Sequence, residues 1–426
     1  MRITNFDHFK IDPLRKQALL IADAAYTAID PELVIAEQVD YDEKSTVLKI
    51  QGNTFKLKDY KKITCIGFGK AAFLSVKALQ QKLGKIISCG FVIDLVGGDL
   101  GNITCKIGTH PFPTEVNVAA TLELLKLVEN SDKDDLVIFV VSGGGSSLLC
   151  YPNDITCDIE TNIVTQLTKQ GASIQELNTV RKHISKVKGG NLAKLCYPAT
   201  VLSLILSDVP GNDLGIVSSG PTVKDTTTSG DAAAVLKQYN ILELCNMPSC
   251  SLIETPKEDK YFEKVHNILL LSPEYAVEAM RLAAIDLGWK TQIYSSQYQG
   301  NATEVTRDIF KQAKPNMCLI GAGESTVQIK GHGLEGRCQV MALSALEYIQ
   351  PDQVFLPLAS DGFDHSDAAG AIVDTQTKVK ADKLGLTAEH YLENNDSYHF
   401  FEATEDLVFT GKTGSNVSDF FVLLTN

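Results

Sequence analysis

Uninterrupted apolar runs that alternate with helical segments are the feature that most limits how this chain can fold. Residues 136–142 (LVIFVVS) and 201–207 (VLSLILS) contain no charged side chain. Shorter apolar runs occupy residues 63–67 and 91–95, and helical patterns cover residues 71–83 and 116–129. Strands that are apolar on both faces and separated by helices are typical of a parallel sheet covered on both sides. The sequence therefore predicts an α/β fold with a Rossmann-like, mainly parallel sheet in its N-terminal domain.

The same alternation restarts in the second half of the chain, after a segment with the composition of a linker. Residues 245–262 combine two prolines, several serines and a charge run, which is typical of a connection between domains. We therefore predict two α/β domains, 1–250 and 251–426, with the active site in the cleft between them. A helix over residues 14–29 is predicted to brace the N-terminus.

The charge balance limits the possible partners. The 426 residues include 39 Lys and Arg against 52 Asp and Glu, so the formal net charge is −13. Such a chain lacks the basic surface that non-specific nucleic-acid binding requires, and anionic membranes repel it. It has no run of about 18 apolar residues and no secretory signal pattern, and its ten cysteines contain no CxxC pair. We therefore expect a cytoplasmic protein with reduced thiols, and no nucleic-acid or membrane partner.

Two glycine-rich turns follow the first and third of the predicted buried strands. Residues 67–72 fit the dinucleotide-binding pattern G-x-G-x-x-A, with Asp94 at the end of the next strand as a candidate ribose ligand. The pattern is weak alone, and Lys70 within it adds a positive charge to an anion site, unless it is a solvated surface lysine. The second turn is more specific because three glycines and two serines let several backbone N–H groups and hydroxyls face one anion. These residues are Gly143, Gly144, Gly145, Ser146 and Ser147.

Basic and acidic candidates follow. Four cations, Arg181, Lys182, Lys186 and Lys188, precede Gly189 and Gly190. They are either a solvated helix face or part of a phosphate site, and His183 among them is either a general base or structural. Asp208 and Asp213 follow a buried strand, where they either bind Mg²⁺, accept a substrate proton or fold the Pro-Gly loop.

The second half contributes an arginine and further carboxylates. Residues 331–336 form a glycine-rich loop that leads to Arg337, whose planar guanidinium suits carboxylate or phosphate recognition. Asp361 and Asp364 follow another predicted strand. Residues 411–413 read GKT, but Asp406 stands where a Walker motif requires glycine, so no P-loop is predicted.

Taken together and in this order, these motifs resemble the class II glycerate 2-kinase family, whose C-terminal part carries a MOFRL-type domain. The resemblance runs from about residue 63 to residue 426. It implies two α/β domains and transfer of the γ-phosphoryl group of ATP to the 2-hydroxyl of D-glycerate with Mg²⁺. It also implies that Lys70 matches the conserved cleft lysine and Arg337 the catalytic arginine. The chain departs from the family pattern at Asn212, Cys338, His365 and Lys412, where the family has an acid, Asn, Gly and Pro.

Phosphoryl transfer requires positioning and charge neutralisation more than covalent chemistry, which agrees with the resemblance. Lys70 and Arg337 are predicted to bind the substrate carboxylate and the charge that develops on the phosphoryl group. Nucleotide phosphates are assigned to residues 143–147 and to Lys188, Gly189 and Gly190. Asp208 is the candidate for orienting or deprotonating the hydroxyl and Asp361 for Mg²⁺, roles that the sequence leaves exchangeable.

Two other functions compete with the kinase. A reductase of hydroxypyruvate or a related 2-oxo acid, with NAD(P), would use the G-x-G-x-x-A pattern and Asp94. Hydride transfer does not explain the triple glycine, the basic residues and Arg337 together. A non-catalytic sensor of glycerate or nucleotide would be expected to lack Lys70 or Arg337, and both are present. The sequence leaves open whether the protein is a monomer or a homodimer.

Overall fold

The computed structural model describes residues 1–241 and 252–426, in which strands and helices alternate as the apolar pattern predicts. The strands are β1 (Val39–Asp42), β2 (Val47–Ile50), β3 (Asn53–Lys56), β4 (Lys62–Phe68), β5 (Cys89–Asp94), β6 (Ile103–Ile107), β7 (Asp135–Ser142), β8 (Thr200–Leu206), β9 (Val265–Leu271), β10 (Lys290–Asn301), β11 (Met317–Thr326), β12 (Gln353–Ala359), β13 (Gly370–Ala371), β14 (Leu407–Val408) and β15 (Asp419–Thr425). The helices are α1 (Phe6–Phe9), α2 (Pro13–Ala28), α3 (Pro31–Gln38), α4 (Ala72–Leu83), α5 (Glu115–Val128), α6 (Gly145–Leu148), α7 (Cys157–Lys169), α8 (Ile174–His183), α9 (Asn191–Cys196), α10 (Ser229–Gln238), α11 (Pro273–Asp286), α12 (Ala302–Phe310), α13 (Arg337–Ala345), α14 (Thr375–Leu384), α15 (Ala388–Glu393) and α16 (Ser397–Thr404). No helix in these described ranges is long and apolar enough to cross a membrane.

The chain folds into two compact units, and the predicted fold class of two α/β domains is confirmed. The parallel-sheet unit comprises Val34–Leu271, and the mixed-sheet unit comprises Met1–Leu33 together with Ser272–Asn426. These bounds differ from the predicted domains 1–250 and 251–426. The predicted dividing point itself lies outside the described residues.

The parallel-sheet unit is built on a six-stranded sheet in the order β6-β5-β4-β7-β8-β9, all parallel. All eight residues of β7 are buried, as the apolar run predicts for a central strand with both faces covered. The chain order reverses between β4 and β7. Strands β5 and β6 lie on one side of β4, whereas β7, β8 and β9 lie on its other side. Such a reversal opens a crevice at the carboxyl ends of the two strands, where open α/β sheets bind their ligands.

Strand β9 shows why the predicted boundary is too early. The apolar run at residues 268–271 lies within the predicted second domain, 251–426, but its strand β9 pairs with β8, with Leu206 opposite Leu271. The described part of the predicted linker also packs on the parallel-sheet unit. The Ile253 N–H donates to the carbonyl of His183 at 2.8 Å, and Thr255 is 2% exposed.

The N-terminal helix α2 belongs to the mixed-sheet unit instead. Its Arg15 is buried, and its guanidinium binds Asp374 at 2.6 Å and Asp406 at 2.7 Å. Tyr26 on the same helix donates to the carbonyl of Ala359 at 2.9 Å. A buried guanidinium has to keep its carboxylate partners, so Arg15 ties helix α2 to residues more than 350 positions later.

The mixed-sheet unit has the strand order β10-β11-β15-β12-β13-β14. Strand β15 runs antiparallel between β11 and β12, with Asp419 opposite both Gly323 and Ala359. The carboxyl ends of β11 and β12 therefore meet the start of β15 at one edge of the sheet. Helix α13 begins at Arg337 and is buried along its length except for that residue. The acidic and basic candidates of the second half of the chain are assembled at this edge.

Candidate functional site

In the parallel-sheet unit, the two predicted glycine-rich turns are bonded to each other. The Lys70 N–H donates to the carbonyl of Gly143 at 2.9 Å, and the Ala71 N–H donates to Ser142 Oγ at 3.1 Å. Both turns follow adjacent strands, β4 and β7, at the point where the strand order reverses. Lys70 and the triple-glycine turn (residues 143–147) therefore lie at the same crevice.

Gly144 lets the two side chains nearest this turn approach its backbone. It has a φ of +80°, and a Cβ there would lie 2.9 Å from Lys70 Cγ and 3.2 Å from His110 Cδ2. The alkyl chain of Lys70 and the imidazole of His110 therefore lie against Gly144. A side chain at this position would be strained by the backbone and would displace both groups.

Two serines that follow β8 in the chain, Ser218 and Ser219, contact the triple-glycine turn. Ser218 donates its hydroxyl to the carbonyl of Ser142 at 2.9 Å, and Ser146 Oγ lies 3.2 Å from Ser219 Oγ. Ser219 in turn donates to Asn178 Oδ1 at 2.8 Å. No described group accepts a hydrogen bond from the backbone N–H of Gly145 or Ser146. Ser218 and Ser219 therefore fix the turn, and the N–H groups of Gly145 and Ser146 remain available to an anion.

A cavity of about 300 Å³ adjoins the triple-glycine turn. Its wall includes Ser146, Ser147, Arg181 and the loop of residues 111–113. Burial lowers the pKa of Arg181, and the carboxylate of Glu160 opposes this, but a guanidinium remains charged at neutral pH. Arg181 is thus the member of the basic run that faces this cavity together with the serine hydroxyls. From the sequence, Arg181 was predicted only as a member of the basic run and not as a phosphate ligand.

The structure places the predicted phosphate ligand Lys188 elsewhere. Its side chain is fully buried, and its Nζ binds Glu160 Oε1 at 2.6 Å. The N–H groups of Gly189 and Gly190 donate to the carbonyls of Ser219 and Gly220 at 2.9 and 2.8 Å. All three residues are therefore used in the interior: Lys188 pairs with Glu160, and the two glycines hold Ser219 and Gly220. This corrects the prediction that they cradle nucleotide phosphates.

The remaining candidates of this unit separate into one at the crevice and three structural residues. Asp208 follows β8 and is half-buried at the same edge of the sheet as Lys70. Asp213 instead accepts the Gly215 N–H at 2.8 Å and folds the loop. His183 is fully buried, with Nδ1 2.8 Å from the carbonyl of Thr179. Asp94 is 1% exposed, and its Oδ2 accepts the Phe73 N–H at 2.8 Å at the start of α4.

In the mixed-sheet unit, Arg337 is surrounded by carboxylates. Its Nε lies 3.1 Å from Asp419 Oδ2, and its Nη1 pairs with Glu324. The guanidinium side chain is 28% exposed, so these carboxylates hold it without enclosing it. Glu324 lies on β11 and Asp419 starts β15, and neither was selected from the sequence. They are 13 and 82 residues from Arg337, a separation that no local pattern reveals.

Asp364 and Asp419 are buried acids with altered titration. Asp364 Oδ1 and Oδ2 accept the N–H groups of Cys338 and Gln339 at the start of α13, at 3.1 and 2.7 Å. Burial, together with the charge of Asp419, raises the pKa of Asp364 to about 7. Burial also raises the pKa of Asp419 to about 6, although Arg337 opposes the change. Buried acids near neutrality are frequent at functional sites.

The glycine-rich loop before Arg337 is pinned by the turn between α15 and α16. Asn395 Oδ1 accepts the Gly331 N–H at 2.6 Å, and Asp396 Oδ1 accepts the Leu334 N–H at 3.0 Å. A Cβ at Gly333 would lie 2.7 Å from the carbonyl oxygen of Asn395. The glycine therefore permits the close approach that fixes the loop and the start of α13.

Asp361 is half-buried in the turn after β12, where its Oδ1 accepts the Phe363 N–H at 3.1 Å. The GKT segment supports this turn, because Thr413 donates its hydroxyl to the carbonyl of Ser360 at 2.6 Å. Residues 411–413 lie between β14 and β15 with no helix after them. This arrangement agrees with the prediction that the segment is not a P-loop.

Comparisons with known families cover most of the chain. The family model described as a domain of unknown function (DUF4147) matches residues 17–249, and the MOFRL family model matches residues 317–419. A protein of Thermotoga maritima named D-glycerate 2-kinase is 34% identical, over 97% of this chain and 99% of its own length. A protein of Agrobacterium vitis, named provisionally as a hydroxypyruvate reductase, is 33% identical over 95% of this chain and 93% of its own length.

A solved structure agrees with these sequence matches. The crystal structure of a glycerate kinase from Thermotoga maritima superposes with a TM-score of 0.82 at 32% identity. The superposition covers 95% of this chain and 98% of the other.

Proposed function

Since the chain belongs to the glycerate 2-kinase family, we propose that it transfers the γ-phosphoryl group of ATP to the 2-hydroxyl of D-glycerate. The observation that carries the proposal is the likeness to a D-glycerate 2-kinase over nearly the whole of both chains. The contact between Lys70 and the triple-glycine turn supports it, because a cation and backbone N–H groups meet there.

In the parallel-sheet unit, the proposed division of work starts from the triple-glycine turn. Its N–H groups and the hydroxyls of Ser146 and Ser147 bind nucleotide phosphates, with Arg181 taking the role first given to Lys188. Lys70 neutralises charge on the transferring phosphoryl group, which is the main requirement of this reaction. Asp208 orients the 2-hydroxyl or accepts its proton. Because Asp208 is only half-buried at the edge of the sheet, a ligand can reach its carboxylate.

In the mixed-sheet unit, Arg337 binds the substrate carboxylate or the charge that develops during transfer. Glu324 and Asp419 hold its guanidinium before the ligand arrives, and the exposed fraction of the side chain provides the approach. An incoming anion replaces one of these carboxylates, and the bidentate geometry of guanidinium suits that exchange.

The residues fit a magnesium ion that arrives with ATP, and not one bound by the protein alone. No group of three or more His, Cys, Asp or Glu in the described ranges is arranged to hold a metal ion. Mg²⁺ in kinases is held by phosphate oxygens, water and one or two carboxylates, and Asp361 offers one such carboxylate. When bound, the ion neutralises the phosphates.

The reductase remains the second candidate because one relative carries that name. The contacts of Asp94 argue against it. This acid was the candidate ribose ligand, yet it is buried and its carboxylate accepts the N–H groups of Phe73 and Leu95. It is therefore occupied at the start of α4.

One assay separates the kinase, the reductase and the non-catalytic binder. Purified protein with D-glycerate, ATP and Mg²⁺ is expected to form ADP, and ³¹P NMR is expected to identify 2-phosphoglycerate. Hydroxypyruvate with NADH or NADPH is expected to give no cofactor oxidation. Glycerate binding without turnover would identify a sensor, and cofactor oxidation without ADP formation a reductase.

Lys70→Ala tests the proposed site within the same assay. Loss of a positioned charge-stabilising group is expected to lower kcat at least about a hundredfold. Lys85→Ala is the control, because that lysine is exposed just after α4, and its kcat should not change. Near-normal turnover of a folded Lys70→Ala protein would remove Lys70 from the site.

A further inference from the structure

We propose that a cavity in the mixed-sheet unit, walled by α12, α13 and α15, binds a small organic polycation with an apolar stretch between its charges. The cavity has a volume of about 650 Å³, within the range of about 300–1,000 Å³ that small-molecule sites occupy. It is lined neither by Arg337 nor by the carboxylates around it. It is therefore separate from the site proposed for phosphoryl transfer.

The charge on its wall is predominantly negative, with four glutamates and one arginine. Glu304, Glu347, Glu389 and Glu393 line the cavity, and all four are exposed. None of them forms an ion pair within the described ranges. The lining contains one cation, Arg307, and its Nε is 3.6 Å from Asp308 Oδ1 outside the cavity wall. Negative charges placed together make the local potential more negative and attract cations.

The arrangement favours an organic cation over a metal ion. No three acidic, histidine or cysteine side chains in the described part of the chain are placed to coordinate one metal. The glutamates are instead distributed over helix α12, the turn that follows α13, and helix α15. Separated carboxylates suit a ligand whose positive charges are themselves separated, such as the ammonium groups of a polyamine.

The floor of the cavity supplies apolar contacts and one unsatisfied polar atom. Leu343, Leu346 and Leu392 line it, and they can cover the methylene groups of such a ligand. Ser344 lies among them and is 6% exposed, and its Oγ has no hydrogen-bond partner among the described residues. An unpaired buried hydroxyl is costly, and a ligand that displaces the groups covering this Oγ would remove that cost by donating an ammonium N–H to it.

Two of the walls lead directly to the Arg337 region. Helix α13 begins at Arg337, and α15 ends next to Asn395 and Asp396, which pin the loop before Arg337. A ligand that bridges α13 and α15 would hold this loop more firmly. The relevance of that effect to catalysis rests on the proposed function, whereas binding itself does not.

Spermidine is the probe, because it carries three ammonium groups separated by methylene chains. Isothermal titration is expected to give saturable 1:1 binding that weakens as salt is added. Glu389→Gln/Glu393→Gln should weaken it at least about fivefold, the scale of two exposed ion contacts. The matched control, Glu37→Gln/Glu43→Gln, removes the same charge from exposed glutamates of the parallel-sheet unit, and should bind as the unchanged protein does.

Three results would overturn the proposal. The first is that spermidine shows no saturable binding below about 1 mM. The second is that both double variants weaken binding equally. The third is that Mg²⁺ competes with labelled spermidine as strongly as unlabelled spermidine does at the same ionic strength. The last two would mean diffuse attraction to an acidic protein. Because none of these measurements uses turnover, an inactive protein that binds spermidine refutes the proposed function alone.

Ser344→Ala gives an independent check, because it should stabilise the free protein and reduce the stabilisation that spermidine provides. Without ligand, the substitution should raise the midpoint temperature of thermal unfolding, because an unpaired buried hydroxyl is removed. It should also reduce the further rise that spermidine produces. Hydrogen exchange should show slower exchange at Gly331 and Leu334 when spermidine is bound to the unchanged protein. Unchanged exchange there, or a full spermidine-induced rise in Ser344→Ala, would contradict the assignment.

Discussion

The two units hold their central cations differently. In the parallel-sheet unit, the ammonium of Lys188 is fully buried, and one carboxylate, that of Glu160, binds it at 2.6 Å. In the mixed-sheet unit, the guanidinium of Arg337 is 28% exposed and contacts two carboxylates, with Asp364 buried nearby. The first is a closed pair, and the second is a partly open cluster with more acid than base.

This difference separates a structural charge from one that can bind a ligand. A buried one-to-one pair has no opening through which an anion could enter, and removing either partner leaves an unpaired buried charge. A partly exposed cation with surplus carboxylates can exchange one of them for the anion of a substrate. Burial, together with the neighbouring carboxylates, also raises the pKa of Asp364 and Asp419.

The largest expected effect tests the closed pair. Lys188→Met should lower the free energy of unfolding by about 3–5 kcal/mol, because the carboxylate of Glu160 is left buried without a counter-charge. Urea denaturation followed by circular dichroism measures it. Lys186→Met is the control, since that lysine is half-exposed and its nearest carboxylate oxygen, on the exposed Asp154, is 3.6 Å away. Its effect should stay within about 0.5 kcal/mol.

A different result would reverse the interpretation of Lys188. If Lys188→Met kept normal stability and raised the KM for ATP, the lysine would be a phosphate ligand after all. The comparison between the two units would then fail.

The next effect tests the open cluster. Arg337→Lys keeps the charge but loses the planar fork, so kcat should fall about a hundredfold, the scale of losing a transition-state donor. The measurement is ADP formation over a range of glycerate at saturating MgATP. Arg281→Lys is the control, because Arg281 also makes two hydrogen bonds to one carboxylate, that of Glu278, on α11. Its kcat should not change.

The partition between kcat and KM decides the role of Arg337. A rise in KM at constant kcat would mean that Arg337 binds the ground-state carboxylate equally in substrate and transition state. No change in either constant would place Arg337 outside the reaction.

The sequence predicted the strand ends better than it predicted the charge pairs. The run that forms β7 and the turns at Lys70 and Gly143 are local patterns, and adjacent parallel strands bring such turns together. The burial of Lys188 was missed because a run of charges usually lies on a solvated face, and its partner Glu160 is 28 residues away. The docking of α2 was missed for the same reason, since Arg15 pairs with Asp374 359 residues later.

Asp364 gives the mixed-sheet unit a dependence on pH. Because the pKa of Asp364 is raised from 3.8 to about 7 in the folded protein, its contribution to stability is full below about pH 4 and is lost as the pH rises through 7. Between pH 5 and 8, Asp364→Asn should therefore lose on the order of 2 kcal/mol less stability than the unchanged protein. Urea midpoints read by Trp289, the single tryptophan and a residue of this unit, measure it.

Two features keep that test specific. Asparagine retains one oxygen to accept an N–H group at the start of α13, so the helix start is not lost entirely. Asp367→Asn is the control, because Asp367 is exposed in the same loop. Equal pH dependence of all three proteins would show that Asp364 does not titrate in this range.

The smallest effect concerns the residue after Asp364. His365 is exposed and has a φ of +55°, in the left-handed region that costs a non-glycine residue about 1–2 kcal/mol, and the glycerate 2-kinase pattern has glycine there. His365→Gly should raise the free energy of unfolding by about 0.5–1 kcal/mol, because relief of strain exceeds the entropy that glycine adds to the unfolded chain. His332→Gly, at an exposed loop histidine without positive φ, should lower it by a similar amount. Urea midpoints read by Trp289 compare the two. If both variants lose stability equally, the loop that carries Asp364 is unstrained, and its histidine is tolerated at no cost to the open cluster.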